Sequence, residues 1–196
     1  MSRRRFEGSS LDATLDAAAE ALGCRHEELA YRVVEEAPGR CVVEAGVDPL
    51  AVLGLFLVRA FTAGGLDIRT ELAAEPGLLV GELMGEDVGI LLDRRGEALD
   101  ALQYLCNRIL DGRMGEHPAV RLDSDGFKAR RRERLVRTAR REAERAVHRG
   151  RPVRLDPMTP AARREIHLAL AEDPRVETDS HGSGFLKRVV IRPRRR

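Results

Sequence analysis

The chain has 196 residues, of which 43% are apolar and 34% are charged. This composition supplies enough core for one or two compact domains or several very small ones, and it excludes a chain that is disordered throughout. The longest apolar run, Leu50 to Val58, is far shorter than the roughly 20 residues of a membrane-spanning helix. Residues 1–16 lack the apolar segment of a signal peptide, and the three cysteines form no CxxC pair. We therefore expect a cytoplasmic protein with reduced thiols and no transmembrane segment.

The charge is divided unevenly along the chain. Residues 1–125 carry 13 Lys and Arg against 23 Asp and Glu, a balance of −10, whereas residues 126–196 carry 21 against 9, a balance of +12. A cationic C-terminal third indicates a polyanionic partner. Nucleic acid is favoured over a membrane because no clear apolar face accompanies the basic one. A solvated charged surface without a partner is the alternative.

Residues 1–45 show the pattern of a small α/β unit. Apolar residues recur at helical spacing between Ser9-Ser10 and Gly23, which predicts an amphipathic helix with a cap at each end. A Pro38-Gly39 turn separates two stretches of strand-like sequence. The predicted elements are a helix and two strands: Leu11 to Leu22, Ala30 to Glu36 and Cys41 to Ala45.

Residues 46–124 form a second predicted unit. Asp48-Pro49 is typical of a helix cap followed by proline in the first turn, and Gly64-Gly65 ends that helix. Pro76-Gly77 predicts a turn between two strands. The predicted elements are a helix, two strands, a helix and a short strand: Asp48 to Gly65, Leu66 to Ala73, Leu78 to Met84, Glu97 to Leu110 and Val120 to Leu122.

Residues 125–196 form the third predicted unit, and the three small units together predict an α+β fold. Its first helix is rich in arginine and carries a single apolar stripe through Leu135, Ala139, Ala143 and Ala146. The predicted elements are helices at Phe127 to His148 and Pro160 to Ala171, and strands at Val153 to Leu155, Val176 to Ser180 and Phe185 to Arg192.

A short polar loop, Asp93-Arg94-Arg95-Gly96, leads directly into the helix predicted from Glu97. Backbone N–H groups at a helix N-terminus and two guanidinium groups can hold a phosphate in such a place. The loop resembles the Gly-x-x-Gly loop with which KH domains grip single-stranded nucleic acid. Asp93 stands at the first glycine position, where its carboxylate would repel a phosphate. Either Arg94, Arg95 and Gly96 still clamp a phosphate, or Asp93 caps the helix and the arginines are merely exposed.

Arg163 and His167 lie four residues apart on a predicted helix and therefore on one face. There a guanidinium and an imidazole can together meet a phosphate or stack on a base. With the flanking segments Leu155–Pro160 and Thr178–Gly182, this pattern resembles the R3H domain, which is named for the Arg-x3-His spacing. We expect phosphate contacts from Arg163, Lys187 and Arg188, and stacking or hydrogen bonding from His167.

The order of a small N-terminal unit, a KH unit and an R3H unit resembles the bacterial SpoIIIJ-associated family, also called Jag, KhpB or EloR. The resemblance is closest from Val88 to Pro193. The motifs that carry it include Ala101-Leu-Gln-Tyr104, Leu122-Asp123, Arg130-Arg131 and Pro157-Met158.

This resemblance implies a Jag-N-like domain over residues 1–45, a type II KH domain with a degenerate loop over residues 46–124, and an R3H domain over residues 125–196. It also implies a cytoplasmic RNA-binding regulator of cell elongation, division and envelope synthesis. Members of the family pair with a small protein that consists of a single KH domain, and a homodimer is a further expectation.

No pattern points to catalysis, a cofactor or a metal. The five histidines are scattered, and no Walker loop, nucleophile elbow or His-Glu-x-x-His motif occurs. General acid–base cleavage of RNA by His167 and His181 is the enzymatic alternative, but histidines beside basic residues are common in sites that only bind. We expect a non-enzymatic protein that binds single-stranded RNA or single-stranded DNA. The alternative is a protein-interaction scaffold that dimerises through a KH unit that has lost RNA binding.

Overall fold

A computed structural model of the chain describes residues 3–194. The chain folds into two compact units, residues 1–125 and residues 126–196. Each unit combines helices with three-stranded sheets, which confirms the predicted α+β class. Across the described residues, no helix is both long enough and apolar enough to cross a membrane.

The first half of the first unit is a three-stranded antiparallel sheet with one covering helix. Its elements are β1 (Arg4–Gly8), α1 (Leu11–Leu22), a 3-10 turn (His26–Glu28), β2 (Leu29–Ala37) and β3 (Arg40–Val47). The strand order is β1-β3-β2, and α1 packs Leu15 and Ala18 against the β3 side chains of Cys41 and Val43. Both predicted caps of α1 are present, because Ser10 Oγ accepts from the Ala13 N–H at 3.3 Å and Gly23 has a φ of 63°.

The sequence patterns missed β1. Phe6 is its one apolar side chain, and charged residues surround it. The strand forms because it pairs with β3 along its whole length, with Phe6 opposite Val43. Such pairing depends on tertiary context and leaves little local signal.

The second half of the first unit follows the order α-β-β-α-β. Its elements are α2 (Pro49–Ala63), β4 (Arg69–Glu75), β5 (Leu78–Met84), α3 (Val88–Met114) and β6 (Ala119–Asp123). The strand order is β4-β5-β6; β4 and β5 are antiparallel, and β5 and β6 are parallel with α3 as their crossover. The predicted Asp48 cap is confirmed, because its carboxylate accepts from the Leu50 N–H at 2.9 Å.

The predicted start of β4 at Leu66 is wrong, since the strand begins at Arg69. Leu66 instead follows the Gly64-Gly65 turn after α2, and its N–H donates back to the Phe61 carbonyl at 2.9 Å. A contact from α3 joins the two halves of the first unit. Arg113 Nη1 donates to the Gly23 carbonyl at 3.0 Å and lies 3.7 Å from the buried Glu28 carboxylate. The division of the unit at residue 45 stays a prediction.

The second unit packs two helices on one side of a three-stranded antiparallel sheet. Its elements are α4 (Phe127–Arg149), β7 (Val153–Arg154), α5 (Pro160–Leu170), β8 (Val176–His181) and β9 (Arg188–Pro193), with strand order β7-β9-β8. The core is built from α4 alanines, α5 and the inward residues of β8 and β9: Ala139, Ala143, Ala146, Ile166, Leu170, Val176, Val189 and Ile191.

The predicted start of β9 at Phe185 is wrong, since the strand begins at Arg188. Gly182 and Gly184 have φ angles of 119° and 76°, so the chain turns immediately before Phe185. Residues 182–187 therefore form the loop of the β8–β9 hairpin, with Phe185 and Leu186 exposed.

Candidate nucleic-acid interface

Helix α5 sets the spacing of the predicted Arg163–His167 pair. Thr159 begins the helix, with its Oγ1 accepting from the Ala162 N–H at 3.4 Å, and Pro160 occupies the first turn. Ile166 is fully buried and anchors the helix in the core. Arg163 and His167 therefore lie one helical turn apart beside the buried face, and both are half-buried.

His167 is held between two hydroxyl groups of β8. Its Nδ1 lies 2.6 Å from Thr178 Oγ1, and its Nε2 lies 3.0 Å from Ser180 Oγ. Burial lowers the pKa of His167 below its usual value, and the positive charge of Arg163 lowers it further, although Asp179 acts in the opposite direction. The ring is therefore neutral at pH 7, with one nitrogen donating and the other accepting. The positive charge of this pair comes from Arg163 alone.

Arg163 has an unsatisfied hydrogen-bond donor. Its Nε atom is buried and has no hydrogen-bond partner in the described part of the chain. Leaving a buried donor unpaired costs about 1–3 kcal/mol, and more when the group is charged. Buried polar atoms are nearly always paired, so this exception calls for an acceptor, which a ligand could supply once the Arg163 side chain shifts to admit it.

Lys187 and Arg188 lie in different places relative to α5. The Lys187 backbone exchanges two hydrogen bonds with Met158, at 2.9 and 3.2 Å, directly before the Thr159 cap. Lys187 thus stands at the start of the helix that carries Arg163. Arg188 pairs with His181 in the β8–β9 ladder, at a register position that faces away from the Val189 side of the sheet. The structure thus sets Arg163 and His167 side by side on α5, Lys187 next to the start of that helix, and Arg188 at a register position on the other sheet face.

Helix α4 supplies most of the positive charge of the second unit. It carries ten Lys and Arg against three Glu, and one alanine-rich stripe of it is buried. Some arginines are neutralised locally: Arg132 lies 2.6 Å from Glu165, and Arg145 lies 2.7 Å from Glu142. Arg140 and Arg149 make no ion pair among residues 3–194 and are exposed. An open groove of about 620 Å³ lies between α4 and α5. Basic, acidic and apolar side chains line it, among them Arg132, Arg137, Arg140, Glu133, Glu165 and Leu168.

The second candidate site is the loop that interrupts α3. Asp93 is extended, and the next three residues, Arg94, Arg95 and Gly96, have φ angles of 46°, 65° and 76°. The left-handed conformation costs a non-glycine residue roughly 1–2 kcal/mol, and two arginines adopt it here. Backbone strain of this kind is concentrated at functional sites. Gly96 is buried, whereas Asp93, Arg94 and Arg95 are exposed.

The structure gives no support to a capping role for Asp93. Its carboxylate makes no hydrogen bond or ion pair within the described residues, and Arg94 makes none either. The loop therefore presents an uncompensated carboxylate beside the guanidinium group of Arg94. The predicted loop that leads into a helix is confirmed, and the structure shows that a helical segment precedes it as well. Its phosphate-binding role stays a prediction.

Sequence patterns missed two side chains of the first site, Thr178 and Ser180. Both lie on β8 and alternate with exposed Glu177, Asp179 and His181. The alternation along β8 could have revealed them. Period-two spacing places both hydroxyls and buried Val176 on the same face of the strand, which is the face that α5 covers.

We expect the pH dependence of stability to report on His167. Because its pKa is lowered in the folded state, the unfolded chain binds the proton more readily, and stability falls as the pH drops below the usual value of 6.5. Urea unfolding at pH 7.5 and pH 5.5 measures this loss. His167→Gln, which keeps a hydrogen-bonding side chain and removes the titrating group, is expected to lose less stability over that interval. Equal losses of stability in wild type and His167→Gln would contradict the assignment of this pH dependence to His167.

Comparison with known proteins identifies one domain family and several relatives. Residues 133–193 match the R3H domain family, so the second unit contains an R3H domain. The RNA-binding protein KhpB of Clostridium symbiosum is 36% identical over 138 residues, which cover 69% of this chain and 62% of that protein. KhpB of Bacillus subtilis (strain 168) is 23% identical over 203 residues, covering 96% of this chain and 97% of that protein.

A third relative, the RNA-binding protein KhpB of Lactiplantibacillus plantarum, is 34% identical over 103 residues, which cover 53% of this chain and 32% of that protein. The matched part of the chain thus spans less than two thirds of the Clostridium and Lactiplantibacillus proteins. The resemblance to the KhpB (Jag) family that the sequence motifs predicted is thus confirmed over most of the chain.

Proposed function

We propose that this protein binds single-stranded RNA without chemical conversion, and that the R3H unit supplies the principal contact. The observation that carries the proposal is the unpaired, buried Nε of Arg163 beside neutral His167, in a unit with a charge balance of +12. Relatives bearing the name RNA-binding protein support the choice of ligand.

Arg163 and Lys187 hold one backbone phosphate in this proposal. A guanidinium donates two parallel hydrogen bonds to phosphate oxygens, which would satisfy the Arg163 Nε. Neutral His167 fixes the site by its bonds to Thr178 and Ser180, and its direct stacking on a base remains a prediction. Arg188 and the exposed arginines of α4 contribute longer-range attraction.

A binding measurement with a competitor tests this function. Fluorescence anisotropy of a labelled 12-nucleotide single-stranded RNA gives the affinity. Unlabelled single-stranded RNA, single-stranded DNA and duplex RNA of the same length then compete for the site in separate titrations. We expect single-stranded RNA to compete best and duplex RNA least, because A-form RNA buries its bases. If the protein binds neither single-stranded RNA, single-stranded DNA nor duplex RNA, the proposal is overturned.

The first unit offers a second, weaker contact for RNA. The order α2, β4, β5, interrupted α3 and β6 supports a type II KH domain over residues 46–124, with Asp93–Gly96 at the position of the clamping loop. Arg94 is exposed there and has no partner among the described residues, so its guanidinium is available to a phosphate. The Asp93 carboxylate opposes that contact.

Asp93→Gly is expected to strengthen RNA binding about two- to fivefold, since removing one exposed like charge is worth up to about 1 kcal/mol. Asp93 has a φ of −59°, which any residue can adopt, so the gain does not come from backbone freedom. Asp93→Asn is the matched variant, because it removes the charge and keeps the side-chain shape. Anisotropy titrations in which neither variant gains affinity would exclude this loop from the RNA contact.

The scaffold alternative rests on the same carboxylate and on exposed apolar side chains of α3. Tyr104 and Leu105 are 64% and 49% exposed. In this alternative the KH unit pairs with a small single-KH protein or with a second copy of the chain. Light scattering of the protein with and without such a partner, in the presence and absence of RNA, separates the cases. Complex formation together with negligible RNA affinity favours the scaffold.

The family resemblance supports the further proposal that either activity operates in the cytoplasm, in the control of cell elongation, division and envelope synthesis. That role is part of the proposal, and the contacts described above determine only how a regulator of this kind would hold its RNA.

A further inference from the structure

The loop of the β8–β9 hairpin exposes an aromatic ring. Phe185 is 69% exposed and Leu186 is 46% exposed. Gly182 and Gly184 turn the chain on the approach to Phe185, and the backbone of Lys187 is paired immediately after Leu186. The ring is thus carried on a short loop whose C-terminal end is anchored by strand-like hydrogen bonds.

Phe185 is the available aromatic platform of this unit. Residues 126–196 contain two phenylalanines and no tyrosine or tryptophan. The other phenylalanine, Phe127, is buried, and the guanidinium groups of Arg131 and Arg134 lie 5.9 and 6.0 Å from its ring centre. His167 is half-buried with both ring nitrogens bonded to β8 hydroxyls, so it is poorly placed to swing onto a base.

The loop stands next to the proposed phosphate site. Phe185 precedes Lys187 by two residues, so their Cα atoms are at most about 7.6 Å apart. Lys187 in turn pairs with Met158, the residue before the Thr159 cap of α5, and Arg163 lies in the first turn of that helix. The backbone that carries the ring is therefore adjacent to Lys187 and, through the Met158 pairing, to the start of the helix that carries Arg163.

We propose that Phe185 forms a base-stacking subsite, which receives a nucleobase next to the phosphate held by Arg163 and Lys187. This inference rests on the proposed function of the R3H unit. Stacking on an aromatic side chain tolerates any base, because every base has a π face. The ligand is accordingly an unpaired nucleotide in a single strand, and a base inside a duplex cannot reach the ring.

The test compares two variants of Phe185 and one of its neighbour Leu186 in the 196-residue chain. Phe185→Leu keeps the apolar character and loses the ring, Phe185→Trp keeps a ring, and Leu186→Ala is the neighbouring control. The ligands are a labelled 12-nucleotide oligouridine and an abasic oligomer with the same number of phosphates. Thermal unfolding followed by circular dichroism confirms that each variant is folded.

We expect Phe185→Leu to weaken binding of the oligouridine at least about fivefold, from the typical worth of one stacked base, and to leave binding of the abasic oligomer unchanged. Phe185→Trp is expected to retain the affinity. Because the wild-type chain has no tryptophan, the introduced indole is the sole tryptophan in that variant, and the oligouridine should quench its fluorescence while the abasic oligomer should not.

If Phe185→Leu binds the oligouridine as tightly as wild type does, the stacking subsite is overturned and the phosphate contacts stay intact. A loss of affinity that is equal for the oligouridine and the abasic oligomer would also overturn it, since the ring would then act on the backbone or on the fold. Failure of the wild-type protein to bind either oligomer would instead overturn the proposed function.

Discussion

Arg163→Ala is expected to weaken binding of single-stranded RNA by about 10- to 100-fold. The guanidinium is half-buried at the start of α5, its Nε has no partner among the described residues, and neutral His167 adds no charge beside it. A hydrogen bond to a charged group contributes about 1.5–3 kcal/mol, and 1.4 kcal/mol corresponds to a factor of ten in affinity. Anisotropy titration of a labelled 12-nucleotide RNA measures the change.

The matched control for Arg163→Ala is Arg69→Ala, which makes the same change of charge in the acidic unit. Arg69 is 83% exposed in its side chain, and its nearest carboxylate, that of Asp67, is 4.0 Å away. We expect this variant to bind RNA within about twofold of wild type, because screened exposed charges contribute little. Equal losses in the two variants would show that net charge, and not the site on α5, determines binding.

Ile166→Ala is expected to destabilise the protein by about 2–5 kcal/mol, which is a large part of the stability of a small domain. Ile166 is fully buried and lies between Glu165 and His167 on α5, so its loss opens a cavity under the proposed site. Urea unfolding followed by circular dichroism measures the change. RNA binding should fall only under conditions in which the R3H unit begins to unfold.

Leu168→Ala serves as the control for Ile166→Ala, because Leu168 is on the same helix and is 57% exposed. Its effect on stability should lie within about 0.5 kcal/mol of zero, as for most surface substitutions. If both variants lower the free energy of unfolding by the same amount, the burial pattern that orients α5 is wrong, and Arg163 cannot be assigned to the edge of the core.

Elements with capped ends were the easiest to predict from sequence. The hydroxyl groups of Ser10 and Thr159 and the carboxylate of Asp48 each accept a backbone N–H at a helix start. These bonds are local, within three residues, and so they leave a local signal. The loop Asp93–Gly96 was predicted for a similar reason, since its polar residues separate an apolar stretch from the helix that follows.

Features that depend on pairing between distant segments were not predictable in this way. Strand β1 has one apolar side chain and is defined by its alignment with β3. The hydroxyl partners of His167 lie 11 and 13 residues further along the chain, and they meet it only because α5 packs on β8. The face occupied by Arg188 likewise follows from the register of β9 against β8.

The most direct test of the RNA-binding account is the salt dependence of affinity in wild type and Arg163→Ala. For single-stranded nucleic acid, each phosphate neutralised changes the logarithm of the affinity by about 0.7 for a tenfold change in salt. We predict a steep slope for wild type, and a slope that is shallower by about one phosphate, or about 0.7, for Arg163→Ala. An affinity of wild type that does not change with salt, or identical slopes in the two proteins, would contradict phosphate binding at this site.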